Sequence, residues 1–252
     1  MSRDFYDKHK NFSFRTLSEY FISPGIKCKF DLLKENLSSN RVFNHGIDLG
    51  SSGNSFLYFL DNSKQKSYFD IASFPLKQYI VRDNGHPLCG DIIKLPYRNE
   101  TFDFLTAIDV LEHIEDDALA VSEISRILKK NAIIIISVPH QMRYFTTQDI
   151  IIGHYRRYEI EQVIKLFAQH NIRCLTYFGV YGRIMRISDI QSANPEKIES
   201  GLINLRKKYE INKLFRICWN IFVKIGSKLM KWDAKYQPIR NIMNIALIFT
   251  KL

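Results

Sequence analysis

The seven residues Ala132 to Val138, AIIIISV, are apolar in succession apart from Ser137, and no other stretch limits the fold of this chain as much. A strand with one wet face alternates apolar and polar residues. A strand apolar at every position belongs in the middle of a parallel sheet covered by helices on each side. The run is also far too short to cross a bilayer, which takes about 20 apolar residues.

Around this run the chain alternates short β-like segments with helical patterns. Residues 45–49, 66–70, 86–89, 102–108, 172–178 and 242–250 read as further strands, and 55–61, 116–129 and 159–169 read as helical. Strands joined through single helices imply right-handed βαβ crossovers. The predicted architecture is a doubly wound α/β fold, a mostly parallel seven-stranded sheet with helices on both faces. The 252 residues, 46% hydrophobic, support one sizeable core with additions rather than two full domains. The expected division is a helical extension over 1–43, an α/β core over 44–182, a helical insertion over 183–240 and a last core strand over 241–252.

Cys28, Cys89, Cys174 and Cys218 are scattered, with no Cys-x-x-Cys and no nearby His at ligand spacing, so neither a disulfide framework nor a metal site is expected. The opening MSRDFYDKHKN lacks an apolar core, and the expected location is cytoplasmic. A formal charge of +10 raises the local concentration of anionic partners such as RNA, anionic lipid or phosphorylated small molecules, without choosing among them.

Open α/β sheets bind ligands at the carboxyl ends of their strands. The first strand ends in Asp48-Leu49-Gly50-Ser51-Ser52-Gly53-Asn54, where glycines permit a tight turn and backbone N–H groups face a ligand. Asp70, followed by Ile71, stands twenty residues beyond Gly50, the separation at which an acid accepts hydrogen bonds from ribose hydroxyls. After the third strand, Asp91 offers a carboxylate to an exocyclic amine and Ile92 an apolar wall for a flat base. A dehydrogenase would need G-x-G-x-x-G, whereas this loop has only Gly50 and Gly53.

Taken in order, GIDLGSSGN, YFDIAS, CGDIIKLPYRNETFDFLTAIDVLEHIEDD and EISRILKKNAIIIISVP resemble the motifs of class I S-adenosylmethionine-dependent methyltransferases, over roughly residues 44–180. The segment IALIFTKL resembles the last strand of that Rossmann-like family. The resemblance implies S-adenosylmethionine as methyl donor. It implies that Asp48 and the loop Gly50, Ser51 and Ser52 hold its methionine end, Asp70 with Ile71 its ribose, and Asp91 with Ile92 its adenine. Asp109 would face the methionine moiety. Ser52 and Asn54 depart from the family, standing where glycines are usual.

Methyl transfer is an in-line displacement in which alignment and proton removal are the main tasks, so the acceptor is hard to read. IDVLEH stands where base-amine methyltransferases carry an Asn/Asp-Pro-Pro-aromatic run, and no cysteine follows a proline, as pyrimidine C5 chemistry would need. No acid and His cluster suggests a metal-assisted type. Small-molecule, lipid-linked or glycan-intermediate acceptors remain, with an RNA methyltransferase and a non-catalytic donor-binding module as alternatives. His113, His140 and His154, near strand ends, are the candidate general bases. Gly153-His154-Tyr155-Arg156-Arg157-Tyr158 resembles a segment bordering the acceptor pocket in small-molecule members of the family. Tyr155, Arg156, Arg157 and Tyr158 are therefore candidates for binding an anionic acceptor.

Between Leu214 and Met230 the apolar residues Leu214, Ile217, Cys218, Ile221, Phe222, Ile225 and Leu229 recur at helical steps beside Lys213, Arg216, Lys224 and Lys228. Such a basic amphipathic helix over 213–232, with Trp219 and Trp232, suits peripheral contact with a membrane surface. It suits better still a lid, or a homodimer helix packed on the core.

Overall fold

The periodicities of the sequence resolve into one seven-stranded sheet with helices on both faces. The computed structural model describes residues 16–37, 41–83, 85–185 and 195–252. Parts of the predicted extension (1–15 and 38–40) and of the predicted insertion (186–194) lie outside the described residues.

Along the chain come α1 (Glu19–Ile22), α2 (Pro24–Asn36), β1 (Phe43–Leu49), β2 (Ser63–Asp70), α3 (Ser73–Asp83), β3 (His86–Cys89), β4 (Phe102–Ile108) and α4 (Asp117–Ile127). They are followed by β5 (Leu128–Pro139), α5 (Thr147–Ile151), α6 (Ile160–Ala168), β6 (Ile172–Tyr181), α7 (Pro195–Ile211), α8 (Lys213–Tyr236) and β7 (Asn244–Lys251). The strand order is β3-β2-β1-β4-β5-β7-β6. Pairing is parallel from β3 through to β5, whereas β7 runs antiparallel to both β5 and β6, so the sheet is mixed.

The apolar run lies in β5, whose two faces serve two separate cores. Ile134, Ile136 and Val138 pack with Val121, Ile124, Val163 and Phe167 from α4 and α6, where Phe167 stacks on Phe249 at 4.6 Å. Ile133 and Ile135 pack on the other face with Phe30 and Leu33 of α2. Burying each such side chain contributes about 1.5–3 kcal/mol.

The helix expected at 55–61 is a single 3₁₀ turn, Leu57–Phe59. The short connection from β1 to β2 buries Phe56, Leu57 and Leu60 against α2, with Phe30 and Phe56 edge to face at 5.4 Å. A helix from the start of the chain thus covers the sheet face above this connection.

Helix α2 is started by Ser23, whose side chain accepts from the Ile26 N–H, with Pro24 in the first turn. It also packs on α8 through Cys28, Leu32 and Ala234. Tyr181 at the end of β6 and Pro139 at the end of β5 both pair with Asn244 at the start of β7. The chain between β6 and β7 therefore leaves and returns at the end of the sheet where the parallel strands finish.

Helix α8 meets the rest of the molecule through Val223, Ser227, Asp233 and Ala234, and the Trp219 indole N–H donates to the Ile22 carbonyl at 3.0 Å. Its apolar row points away. Leu214, Ile217, Ile221, Phe222, Ile225, Leu229, Trp232 and Tyr236 are each 50–74% exposed. Among the described residues, no helix is long and apolar enough to cross a membrane.

Candidate active site

The strand order reverses between β1 and β4, so the loops after these strands diverge and leave a crevice. A cavity of about 870 Å³ opens there, lined by Asp48, Gly50, Ser51, Ser52, Asp70 and Ile71 at one end. Its volume suits a nucleoside-sized ligand with room for a second molecule.

Gly50 turns the chain with φ +69, and a Cβ there would stand 2.3 Å from Val110 Cγ2, so only glycine fits. Gly50 and Ser51 donate their backbone N–H groups to the Phe69 carbonyl at 2.8 and 3.1 Å, lashing the loop to β2. Ser52 takes φ 44, left-handed geometry adopted by a residue with a Cβ where the family prefers glycine. The Asp70 carboxylate accepts from the Ser52 N–H and the Ala72 N–H, both at 2.8 Å. Asp70 thus shapes the loop and caps the next segment together. Each of its oxygens keeps a further lone pair for a ligand hydroxyl.

Asp48 is buried beneath this loop, accepting from the Ser55 and Thr106 hydroxyls. Burial raises its pKa to about 7, against the pull of those two donors, and the nearby Asp70 adds to the rise. Asn54 Oδ1 is buried in the same wall and accepts no hydrogen bond. Asp91 and Ile92 also line the cavity, with the Asp91 carboxylate accepting from the Ile93 N–H at 3.2 Å.

Asp109 sits just past β4 at φ 54, accepting from the Ser137 hydroxyl at 3.1 Å and the Asn244 amide at 2.9 Å. It also pairs with the Lys29 ammonium, which is buried and lies 4.8 Å from the Tyr181 ring centroid. Lys29 and Asn244 lie outside the 44–182 core expected from sequence and Tyr181 at the end of its last strand, and none of the three is among the expected site residues.

The far end of the cavity is built by Glu112 and His113, on the 3₁₀ turn Leu111–His113, together with Asp149, His154, Tyr155 and Arg157. Asp149 is buried, accepting from His154 Nδ1 at 2.8 Å, from Arg157 at 2.9 and 3.0 Å, and from the Thr146 N–H at 2.8 Å. Those donors hold its carboxyl well below the usual range, outweighing burial, which raises it. Glu112 is fully buried, and neither of its oxygens accepts a hydrogen bond. Burial, reinforced by the Asp109 charge, pushes it well above the usual range. His113 is pushed down to about 3, chiefly by burial and then by neighbouring His154, whose ring centroid lies 4.5 Å away. It is a neutral imidazole at ordinary pH.

Not every candidate converges on this cavity. His140 faces the Ile242 carbonyl at 3.1 Å and Glu159 at 3.5 Å, outside the cavity wall. Arg156 is engaged by Asp117 at 2.8 Å and the Glu115 carbonyl at 2.7 Å. The Tyr158 hydroxyl is buried between Asp117 and the Leu111 carbonyl. These two residues brace the loop after β4, and Arg157 is bound by Asp149, so the pair of guanidiniums expected to meet an anion is already neutralised within the fold. The sequence offered no acid and His cluster because the acid and the second histidine of the one observed, Glu112 and His154, stand far apart along the chain.

Residues 47–136 match the family model described as a methyltransferase domain. The chain is 30% identical over 142 residues to an uncharacterized protein of Methanocaldococcus jannaschii, an alignment covering 54% of this chain and 60% of that protein. Among solved structures, it is similar to a S-adenosylmethionine-dependent methyltransferase of Thermotoga maritima, at TM-score 0.60 and 15% identity, covering 99% of each chain. It is also similar to phosphoethanolamine N-methyltransferase 2 of Haemonchus contortus, held there with phosphomonomethylethanolamine and S-adenosylhomocysteine. That match has TM-score 0.60 and 16% identity, covering 100% of this chain and 61% of that one.

Proposed function

From a chain that carries the class I S-adenosylmethionine-dependent methyltransferase domain, we propose that it transfers a methyl group to a small or lipid-linked acceptor bound at the far end of the cavity. The observation that carries this reading is the gathering of Asp48, Asp70, Asp91, Ile71 and Ile92 on one cavity at the point where the strand order reverses. The donor supplies an activated methyl on a sulfonium, so the chain's own residues have only to bind, align and dry the reactants.

Asp70 receives the ribose hydroxyls, Asp91 the adenine amine, and Ile71 and Ile92 flank the base. Asp48, with the unpartnered Asn54 Oδ1, offers negative charge and an acceptor atom to the methionine ammonium. Asp109 faces the methionine moiety, held in place by Lys29, Ser137 and Asn244. His113 and His154 meet the acceptor's polar atom, with His154 oriented by Asp149.

The exposed apolar row of α8 supports a peripheral membrane location for the protein and a lipid-linked acceptor. Lys213, Lys224, Lys228 and Lys235 flank that row, and the whole chain carries +10. A helix with its apolar face outward and ammonium groups alongside fits an anionic lipid surface. Leu202 of α7, the preceding helix, lines the cavity itself, so the helices that would rest on lipid stand beside the acceptor's entrance.

Two measurements test the reading. Calorimetry with S-adenosylhomocysteine should give one site, lost on Asp70→Ala; absence of heat with the intact protein would sink the donor assignment. Incubation with methyl-labelled donor and cell extract, separated into lipid, small-molecule and nucleic acid fractions, should place label in the lipid or small-molecule fraction. Label in RNA would replace the acceptor reading, and label nowhere would leave a donor-binding module.

A further inference from the structure

Glu112 presents a question of charge that its neighbours do not answer. Around the far end of the cavity Lys29 holds Asp109, and Arg157 holds Asp149. Among the described residues Glu112 is the fully buried acid whose two oxygens both accept no hydrogen bond, a place where carrying a negative charge would cost several kcal/mol without a cationic partner. The chain brings it two imidazoles. His154 Nε2 stands 3.9 Å from Glu112 Oε1, and one ligating atom each from Glu112, His113 and His154 lies within 4.8 Å of the other two.

The orientation of both rings is fixed from behind. His154 is held through Nδ1 by the Asp149 carboxylate at 2.8 Å, leaving Nε2 toward Glu112, and His113 is held by the backbone of Gly153. A carboxylate or carbonyl on the back of each histidine is the arrangement that fixes tautomer and direction in metal-binding imidazoles.

We propose that Glu112, His113 and His154 form a site for one divalent transition-metal ion, zinc being the form assayed first. Two imidazoles and one carboxylate are a ligand set that zinc and iron(II) both accept, with coordination positions left open. A tetrahedral ion with bonds of about 2.0 Å spaces its ligand atoms roughly 3.3 Å apart, so the observed 3.9 Å between His154 and Glu112 closes with small side-chain rotations. Glu112, His113 and His154 line the same cavity as the donor loop. There the ion would hold an oxygen or nitrogen of the acceptor and ease loss of a hydroxyl proton to solvent. That catalytic role rests on the methyltransferase reading; the ion site itself does not.

The test uses the full chain, freed of tag and stripped with a chelator, titrated with zinc and separately with cobalt(II), in the presence and absence of S-adenosylhomocysteine. One equivalent of zinc should bind, and cobalt(II) should show the visible bands of a low-coordinate His and carboxylate site. Glu112→Gln and His154→Gln should lose that equivalent and those bands, and Asp149→Asn should weaken binding about 10–100-fold. S-adenosylhomocysteine binding by Glu112→Gln serves as the control that the fold persists. No stoichiometric ion with or without S-adenosylhomocysteine, or variants that bind as the parent does, would overturn the site. Ion binding by a protein that ignores S-adenosylhomocysteine would support the site and overturn only the donor reading.

Discussion

The two ends of the cavity are constructed on different principles. At the donor end, Asp48, Asp70 and Asp91 each stand at the tip of a strand or a residue or two past it, and parallel pairing of β1, β2 and β3 brings the three together. At the acceptor end, Glu112, Asp149, His154 and Lys29 come from separate segments and meet only because a salt-bridged loop and the N-terminal helix fold over the crevice. Strand pairing therefore places the three donor-end acids, with side-chain contacts only trimming them, whereas long-range side-chain pairing assembles the second. The first should survive losses that dismantle the second.

The largest effect expected is on the acceptor end. Asp149→Ala leaves the largely covered Arg157 guanidinium without its carboxylate and releases His154, which should cost about 3 kcal/mol in urea unfolding. Because the hydrogen-bond partners of Asp149 (Thr146, His154 and Arg157) all belong to the acceptor end, S-adenosylhomocysteine affinity should change less than threefold in the fraction that stays folded. A comparable loss of donor affinity would show that the two ends of the cavity are not built independently.

Gly50→Ala should act in the reverse sense. The new Cβ meets Val110 and adopts φ near +69, a strain of about 1–3 kcal/mol, and donor affinity should fall at least tenfold while any ion binding is retained.

A third, smaller effect comes with pH. Burial holds Asp48 near pKa 7 in the folded protein, against 3.8 for an ordinary aspartate. The folded state keeps a proton there that the unfolded chain releases, so this contribution to stability is complete below about pH 4 and is lost as pH rises to 7. Donor binding runs opposite: an ionised Asp48 suits a cationic ammonium, so affinity should be flat above pH 7 and fall by up to tenfold per unit below it. Asp48→Asn should flatten both profiles, and a profile that keeps its slope would remove Asp48 from the donor site.

Smallest of all is Ser52→Gly. Relief of the left-handed serine, offset by a more flexible unfolded chain, should raise stability by roughly 0.5–1 kcal/mol and leave donor affinity within twofold.

What could be read in advance follows the same division. The continuous run in β5 announced a strand buried on both faces, and the spacing from Gly50 to Asp70 placed an acid at the neighbouring strand's end, because both depend on local periodicity. The helix expected at 55–61 failed for a tertiary reason: α2 already covers that face, and its aromatic ring takes the space above Phe56. Arg156 and Tyr158 looked like ligand-binding groups since composition cannot tell a guanidinium facing substrate from one closing a loop on Asp117. In α8 the periodicity was right, but it gave no indication of which face would turn outward. Lys29 and Asn244 were invisible because their partner Asp109 lies so far away in the chain.

The position of β7 bears on how the polypeptide is made. Residues 244–251 slot between β5 and β6, which leave the ribosome long before them, so until synthesis reaches that point the β5 border stays an unpaired ribbon of isoleucines. Such a border invites pairing with other nascent chains, and translation that stalls within α8 should yield aggregates rather than a shorter soluble species.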